Sequence, residues 1–287
     1  MKYLITHINP HLDEIVAIWL IRKFHPDFKN PKIDFVLSGN PGEITYKGKL
    51  PDTDPDMIFL GVGAGKFDEH WGEKGDVTTA DLIWDWLDSL KYLSTNEIER
   101  KVLKQISVFA YKDDTGQLKN FNQELVDFSI TNIISASNHS TDSANTVDLG
   151  MRILDCLFAL FVKKQEAIKA FEQRIDFQSF WGKASAIESE LIPGDPFDAL
   201  TYNNGGILMI LVDNKFGYRQ FRAKSDSSVD LTEVFEKVRK METEVDWWLH
   251  PNKRLLVSGG NVTAGKEMPV SKLTRDDLIK LVKTNDK

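Results

Sequence analysis

Seven consecutive residues, His7-Ile8-Asn9-Pro10-His11-Leu12-Asp13, place two imidazoles and a carboxylate directly after the apolar run Tyr3-Leu4-Ile5. Imidazole nitrogen and carboxylate oxygen bind divalent metals, and the end of a strand is where an α/β sheet presents its site. Pro10 stiffens the turn and Asn9 suits a special backbone conformation. His7, His11 and Asp13 can therefore converge without sharing a helix face. A second group of ligand types, Asp68-Glu69-His70, follows the glycine-rich stretch Gly61-Val62-Gly63-Ala64-Gly65. A third acidic signal, Asp113-Asp114, stands at the end of a helical pattern, where the helix dipole disfavours negative charge and a bound cation would compensate it. A lone histidine is more often structural than a ligand, and an Asp-Glu pair in a glycine-rich loop can simply be solvated. The density of ligand types makes a metal-assisted hydrolase the leading reading.

The elements around these residues alternate. Residues 3–6, 33–37 and 57–62 read as strands. Residues 14–24 read as a helix, with Ile15, Ile18, Trp19 and Arg22 at helical spacing and Pro26 beyond its end. Residues 39–55 form a Gly-, Pro- and Asp-rich loop with a hairpin around 44–46. Residues 76–90 read as a helix. Ser94-Thr95-Asn96-Glu97 has the form of a capping box, followed by Ile98, Val102, Ile106 and Phe109 on one helix face. This predicts a mostly parallel sheet covered on both sides. Residues 135–143 read as a polar loop, and 144–173 as a long helix. Beyond it, residues 207–212 and 218–223 read as paired strands. Leu231, Val234, Phe235, Val238 and Met241 mark an amphipathic helix. Residues 255–257 form a short strand, and Thr274 and Asp277 can cap a closing helix. The expected organisation is a catalytic domain over 1–143, a helical linker over 144–181 and a smaller α+β domain over 182–287.

Composition narrows the function classes. The chain has 287 residues, of which 41% are hydrophobic and 28% charged, as in an ordinary globular protein with a sizeable core. Its net charge of −7 argues against non-specific coating of long nucleic acid, which basic proteins do, and favours small or short substrates. The first residues turn polar too soon for a secretory signal, and the most apolar run, 153–162, is too short to span a bilayer. A single cysteine, Cys156, excludes an internal disulfide, suits a reducing cytoplasm and is expected to be buried in that run. His25 and His139 read as structural or surface residues.

The pattern His-x-Asn-Pro-His-x-Asp after the first strand resembles the opening motif of the DHH phosphoesterase superfamily. That superfamily includes manganese-dependent pyrophosphatases, RecJ-like exonucleases and phosphodiesterases of cyclic dinucleotides or short oligonucleotides. Thr6-His7 followed by His11-Leu12-Asp13-Glu14 is most similar to its metal-dependent exonucleases of the melanocyte-proliferating-gene type, with a shorter gap between the histidines. Residues 59–70 resemble the family's next block, with two departures. Gly61 stands where the family carries a metal-bridging aspartate, and Glu69 where it carries the first histidine of Asp-His-His. Asp114, with Asp113 as the fallback, resembles the family's later metal aspartate.

The resemblance implies a DHH-like α/β domain in which His7, His11, Asp13, Glu69 and Asp114 hold one or two ions, Mn²⁺ or else Mg²⁺ or another divalent ion. His70 would contact the scissile phosphate or assist the leaving group, and Asp68 would orient a neighbour. Gly259, Gly260 and Asn261, which alone could be a tight turn, would bind substrate phosphate or the terminal nucleotide. Arg222 and Arg254, with Lys215, Arg219, Lys224 and Lys253, could form a basic wall or a solvated sheet face. Trp247 and Trp248 could stack a base, although one of them reads as core. The implied activity is 3′-5′ exonucleolytic cleavage of RNA or short oligonucleotides by a cytoplasmic enzyme free of membranes, with a homodimer among the assemblies this reading admits. The alternatives are hydrolysis of a cyclic dinucleotide or pyrophosphate, and a nucleotide-binding sensor that has lost catalysis through Gly61 and Glu69.

Overall fold

The structure is a computed structural model, and it describes residues 1–120, 126–190, 195–215, 217–258 and 269–284. The chain divides into two compact units, Met1–Val162 and Lys163–Lys287.

In the first unit, strand β1 (Tyr3–His7) lies between β2 (Lys32–Val36) and β3 (Met57–Phe59), and both neighbours run parallel to it. Side chains alternate across the sheet. Leu4 and Ile58 face the main core, while Ile5 and Phe59 face a small cluster completed by Ile44 and Val62. Helix α1 (Leu12–Phe24) follows β1, and every residue from Leu12 to Ile21 is buried. A helix apolar on all sides belongs at the centre of a core. Around it pack α2 (Thr79–Ser89), α3 (Glu97–Asp114), α4 (Ile130–Ser140) and the start of α5 (Ser143–Phe171), through Ile83, Leu103, Ile134 and Met151. These helices share one core with Leu4. The opposite face of the sheet packs on the loop that carries Ile44, so the sheet is covered on both sides, by helices on one face and by a loop on the other.

Three local expectations are corrected. Asn96, not Ser94, caps α3, since its side-chain oxygen accepts hydrogen bonds from the Ile98 and Glu99 amides (2.9 and 3.2 Å) while Ser94 Oγ accepts from the Asn96 amide. Most of the stretch read as a polar loop is helix α4, whose polar residues lie on the face away from the buried Ile134 and Ser137. Cys156 is exposed, because α5 buries only the stripe through Val147, Met151 and Leu154 in this core.

The second unit is built on a six-stranded mixed sheet of order β4-β5-β6-β7-β9-β8, comprising Ile175–Ser179, Gly182–Glu188, Leu208–Asp213, Tyr218–Ala223, Leu255–Ser258 and Trp247–Leu249 respectively. Only β5 and β6 pair in parallel. The expected helical linker over 144–181 is thus helix only as far as Phe171, and β4 begins the sheet before residue 182. β6 is buried on both faces. Leu208, Ile210 and Val212 meet α7 (Thr232–Met241) and α8 (Arg275–Val282). Met209 and Leu211 meet Ala167 and Phe171 of α5 and Phe197 of α6 (Asp195–Asn203). Trp247 is core, and Trp248 is half exposed.

Close packing of α5 in the first unit depends on Gly150. A Cβ there would lie 2.7 Å from Ile15 Cγ2 and 3.1 Å from Ile134 Cδ1. Gly150→Val is expected to destabilise the first unit by about 1–3 kcal/mol through overpacking. Urea unfolding would show this as a lowered midpoint with an unchanged slope.

Candidate metal centre

Strand order β2-β1-β3 means that the chain leaves β1 toward one neighbour and later returns to the other side. The crevice beyond the carboxyl ends of β1 and β3 is therefore a topological switch point, the usual ligand position in an open α/β sheet. His7 is the last residue of β1. The chain then turns through Asn9, whose φ of 59° is tolerated by asparagine better than by most residues. Two bonds from the neighbouring helices hold this turn. The Asn9 amide donates to Ser143 Oγ (3.0 Å), and Asn138 Nδ2 donates to the Pro10 carbonyl (3.0 Å). His11 caps α1, and Asp13 and Glu14 fall in its first turn, where the helix dipole favours negative charge.

These residues meet. Ligand atoms of His7, His11 and Glu14 lie within 4.8 Å of one another, as do those of His11, Asp13 and Asp114, those of Asp13, Glu14 and Glu69, and those of Asp68, Glu69 and His70. His7 Nδ1 lies 2.9 Å from the Ile8 carbonyl and, as donor, fixes the tautomer that leaves Nε2 facing Glu14 Oε1 at 3.1 Å. Glu14 Oε2 accepts from the His11 amide at 2.7 Å. Glu69 accepts from the Thr79 hydroxyl. Asp68 Oδ2 accepts from the Ala64 amide (2.8 Å), and Oδ1 takes both the His70 amide (3.1 Å) and His70 Nδ1 (3.0 Å). A cleft of about 410 Å³ opens over the group, lined by His7, His11, Ser38, Gly61, Asp68 and His70 among others.

The charges are not balanced locally. Asp13 is buried, and neither of its carboxylate oxygens receives a hydrogen bond. Burial, then the charges of Glu14, Glu69 and Asp114, raise its pKa well above the usual carboxylate range. Burial, followed by Glu14, also raises Asp114, with His11 and His70 partly opposing. Burial raises Glu69. Burial opposes the charge on Glu14 too, but the hydrogen bond and charge of His7 outweigh it and hold Glu14 low. For His7 and His70, burial disfavours protonation, yet Glu14 in the first case and Glu69 with Asp68 in the second raise the pKa. A buried carboxylate without a donor, surrounded by further carboxylates and imidazoles, fits a divalent cation that accepts oxygen and nitrogen.

The structure thus brings together His7, His11, Asp13, Glu69 and Asp114, from β1, α1, the loop after β3 and the end of α3, with Asp68 and His70 alongside. Asp113 is in none of the four groups. Glu14, a member of two of these groups, is the residue that reading the sequence did not single out. Its signal was present: residues 15–21 are so apolar that the first turn of the same helix must be buried, and its acids with it. In the second unit, Arg222 pairs with Asp198, and Arg254 donates through Nε and Nη2 to the Ser227 carbonyl (3.0 and 2.8 Å). Arg219 is buried, donating to the carbonyls of Leu273, Asp213 and Tyr218. Gly259, Gly260 and Asn261 lie outside the described residues. No helix among the described residues is long and apolar enough to cross a membrane. No protein-family model matches the chain, and no curated protein is significantly similar to it.

A carboxyl whose folded pKa lies above its unfolded value penalises folding fully above the folded pKa. That penalty fades as pH falls toward the unfolded value of about 3.9. Metal-free Asp13→Asn is therefore expected to be more stable than the metal-free wild type at pH 7–8, by roughly 0.5–2 kcal/mol. The gap should close as pH falls to about 4, which thermal unfolding across a pH series in the presence of chelator would measure.

Proposed function

We propose that this chain is a metal-dependent phosphoesterase that removes nucleotides from the 3′ end of RNA or short oligonucleotides. The observation that carries the metal is Asp13, a buried carboxylate with no hydrogen-bond donor, set among His7, His11, Glu69 and Asp114 at the sheet's switch point. The phosphorus substrate is supported by the order of motifs along the chain, which resembles the DHH phosphoesterases from the opening histidines to Asp114.

His7, His11, Asp13, Glu69 and Asp114 would hold Mn²⁺ or Mg²⁺, which when bound supplies a water of lowered pKa and a Lewis acid for the phosphoryl oxygens. The Ile8 carbonyl keeps His7 in the tautomer whose Nε2 is available as a ligand. His70 lines the cleft with its Nδ1 held by Asp68, leaving Nε2 for the substrate. The acidic neighbours of His70 keep its proton to higher pH than in a free imidazole. It can thus donate that proton to the departing oxygen, with Asp68 as the group that orients it.

Purified protein with Mn²⁺ should shorten a 5′-labelled RNA oligonucleotide in single-nucleotide steps. His70→Ala should reduce kcat by roughly 10²–10⁴-fold with metal content retained. His11→Ala and Asp13→Ala should lose both metal and turnover. Cleavage of cyclic dinucleotide or pyrophosphate in place of RNA would redirect the substrate assignment. Absence of turnover with Mn²⁺, Mg²⁺, Co²⁺ and Zn²⁺, with nucleotide still bound, would overturn the enzyme reading in favour of a sensor.

A further inference from the structure

We propose that Glu14 is a metal ligand through Oε1, and that its carboxylate occupies the space a side chain at position 61 would take, where a φ of 63° already favours glycine. The inference rests on the proposal that this site holds a divalent cation.

Gly61 follows β3 after Leu60 and has φ of 63°. A Cβ on it would lie 2.7 Å from Glu14 Oε1, 3.1 Å from Glu14 Cγ and 3.2 Å from Thr79 Oγ1. The first of these distances is shorter than real Cβ contacts allow. Position 61 and Glu14 therefore compete for one volume at the mouth of the sheet, and only one of them can fill it.

The Glu14 carboxylate cannot swing aside cheaply. It is buried at the first turn of a buried helix, and the His11 amide holds Oε2 at 2.7 Å. That bond turns Oε1 toward His7 Nε2, 3.1 Å away. With Nδ1 donating to Ile8, Nε2 is the ring atom of His7 that meets Oε1, and in the metal-free chain its proton makes the hydrogen bond to Glu14. Once a cation displaces that proton, the two atoms already stand at the separation of neighbouring ligands on one ion, since bonds of 2.0–2.1 Å at a right angle set the two ligand atoms about 3 Å apart. Glu14 also belongs to two of the ligand groups, one with His7 and His11 and one with Asp13 and Glu69. The unpartnered Asp13 oxygens, on the preceding residue, independently mark this space as one that needs positive charge.

Exchange of the carboxylate between the two backbones provides the test. Mn²⁺ affinity of the full chain would be titrated by calorimetry, with circular dichroism to check folding. Glu14→Gln keeps the volume and an oxygen for the His11 amide but removes the charge. It should weaken Mn²⁺ binding by about 100-fold or more, beyond the 10–100-fold typical of losing a group that merely supports a ligand. Gly61→Asp alone should also lose metal, by collision with Glu14. Glu14→Ala combined with Gly61→Asp should regain at least about tenfold over either single change, because aspartate is among the residues that tolerate positive φ. Unchanged Mn²⁺ affinity in folded Glu14→Gln would overturn the inference while leaving the metal site standing. A folded wild-type chain that binds none of Mn²⁺, Mg²⁺, Co²⁺ or Zn²⁺ would overturn the site itself. Should the double variant fail to fold, Glu14→Gln decides.

Discussion

Burial of uncompensated negative charge at the first turn of α1 is the constraint on which the first unit turns. Asp13 lies inside the protein with both oxygens lacking donors, and Glu14, Glu69 and Asp114 stand close enough to repel it. Such an arrangement works against folding, and structures keep it where something else is gained. The opening of α1 offsets part of the cost through its dipole and the amide that Glu14 accepts, but Asp114 sits at the unfavourable end of α3. A divalent cation bound here, as proposed, would remove the repulsion at once, and its affinity would add directly to the stability of the folded state.

The hydrophobic pattern and the chemistry of this region are interlocked. Residues 15–21 are apolar on every side, which draws the whole helix into the core and takes its acidic first turn along. The parallel pairing of β1 with β2 and β3 places the helix start at the crevice. The turn at Asn9 and Pro10 is held from outside by Ser143 and Asn138, so the interval between His7 and His11 does not depend on the loop's own stiffness alone. His25, by contrast, stacks on Trp86 and meets Phe28 and Tyr92 edge-on, and has no part in the centre.

Much of this was legible in the sequence where local pattern and chemistry coincide. His7, His11 and Asp13 follow an apolar strand, and the start of α1 brings two of them together by simple geometry. Asp114 is a different case, because only the packing of α3 against α1 brings it to Asp13. Glu14 was hidden because acids in a first turn ordinarily face water and satisfy the dipole. The helix α4 was hidden because its exposed face, rich in Ser, Asn and Thr, outweighs the pair Ile130 and Ile134 in composition. In the second unit, β5 went unread because Ala184, Ser185 and Ala186 carry none of the β-branched or aromatic character of a strand. Its burial comes from the layers on the two faces of the sheet, with Ala184 and Ala186 in one core and Ile187 in the other. The basic wall anticipated from Arg222 and Arg254 looked available in sequence, while in the fold Asp198 and the Ser227 carbonyl already engage these guanidiniums.

A central helix packed on all sides is also stiff. Any shift of α1 by a fraction of an ångström would open gaps against Ile83, Leu103 and Ile134, and protein interiors resist such gaps. Asp13 and Glu14 therefore keep a nearly constant spacing whatever enters between them. A cage with walls this unyielding discriminates by ionic radius and preferred coordination number, where a pliant loop would adapt to either. Selection among cations at the proposed centre would then be a property of the hydrophobic interior as much as of the oxygen and nitrogen atoms around the cavity.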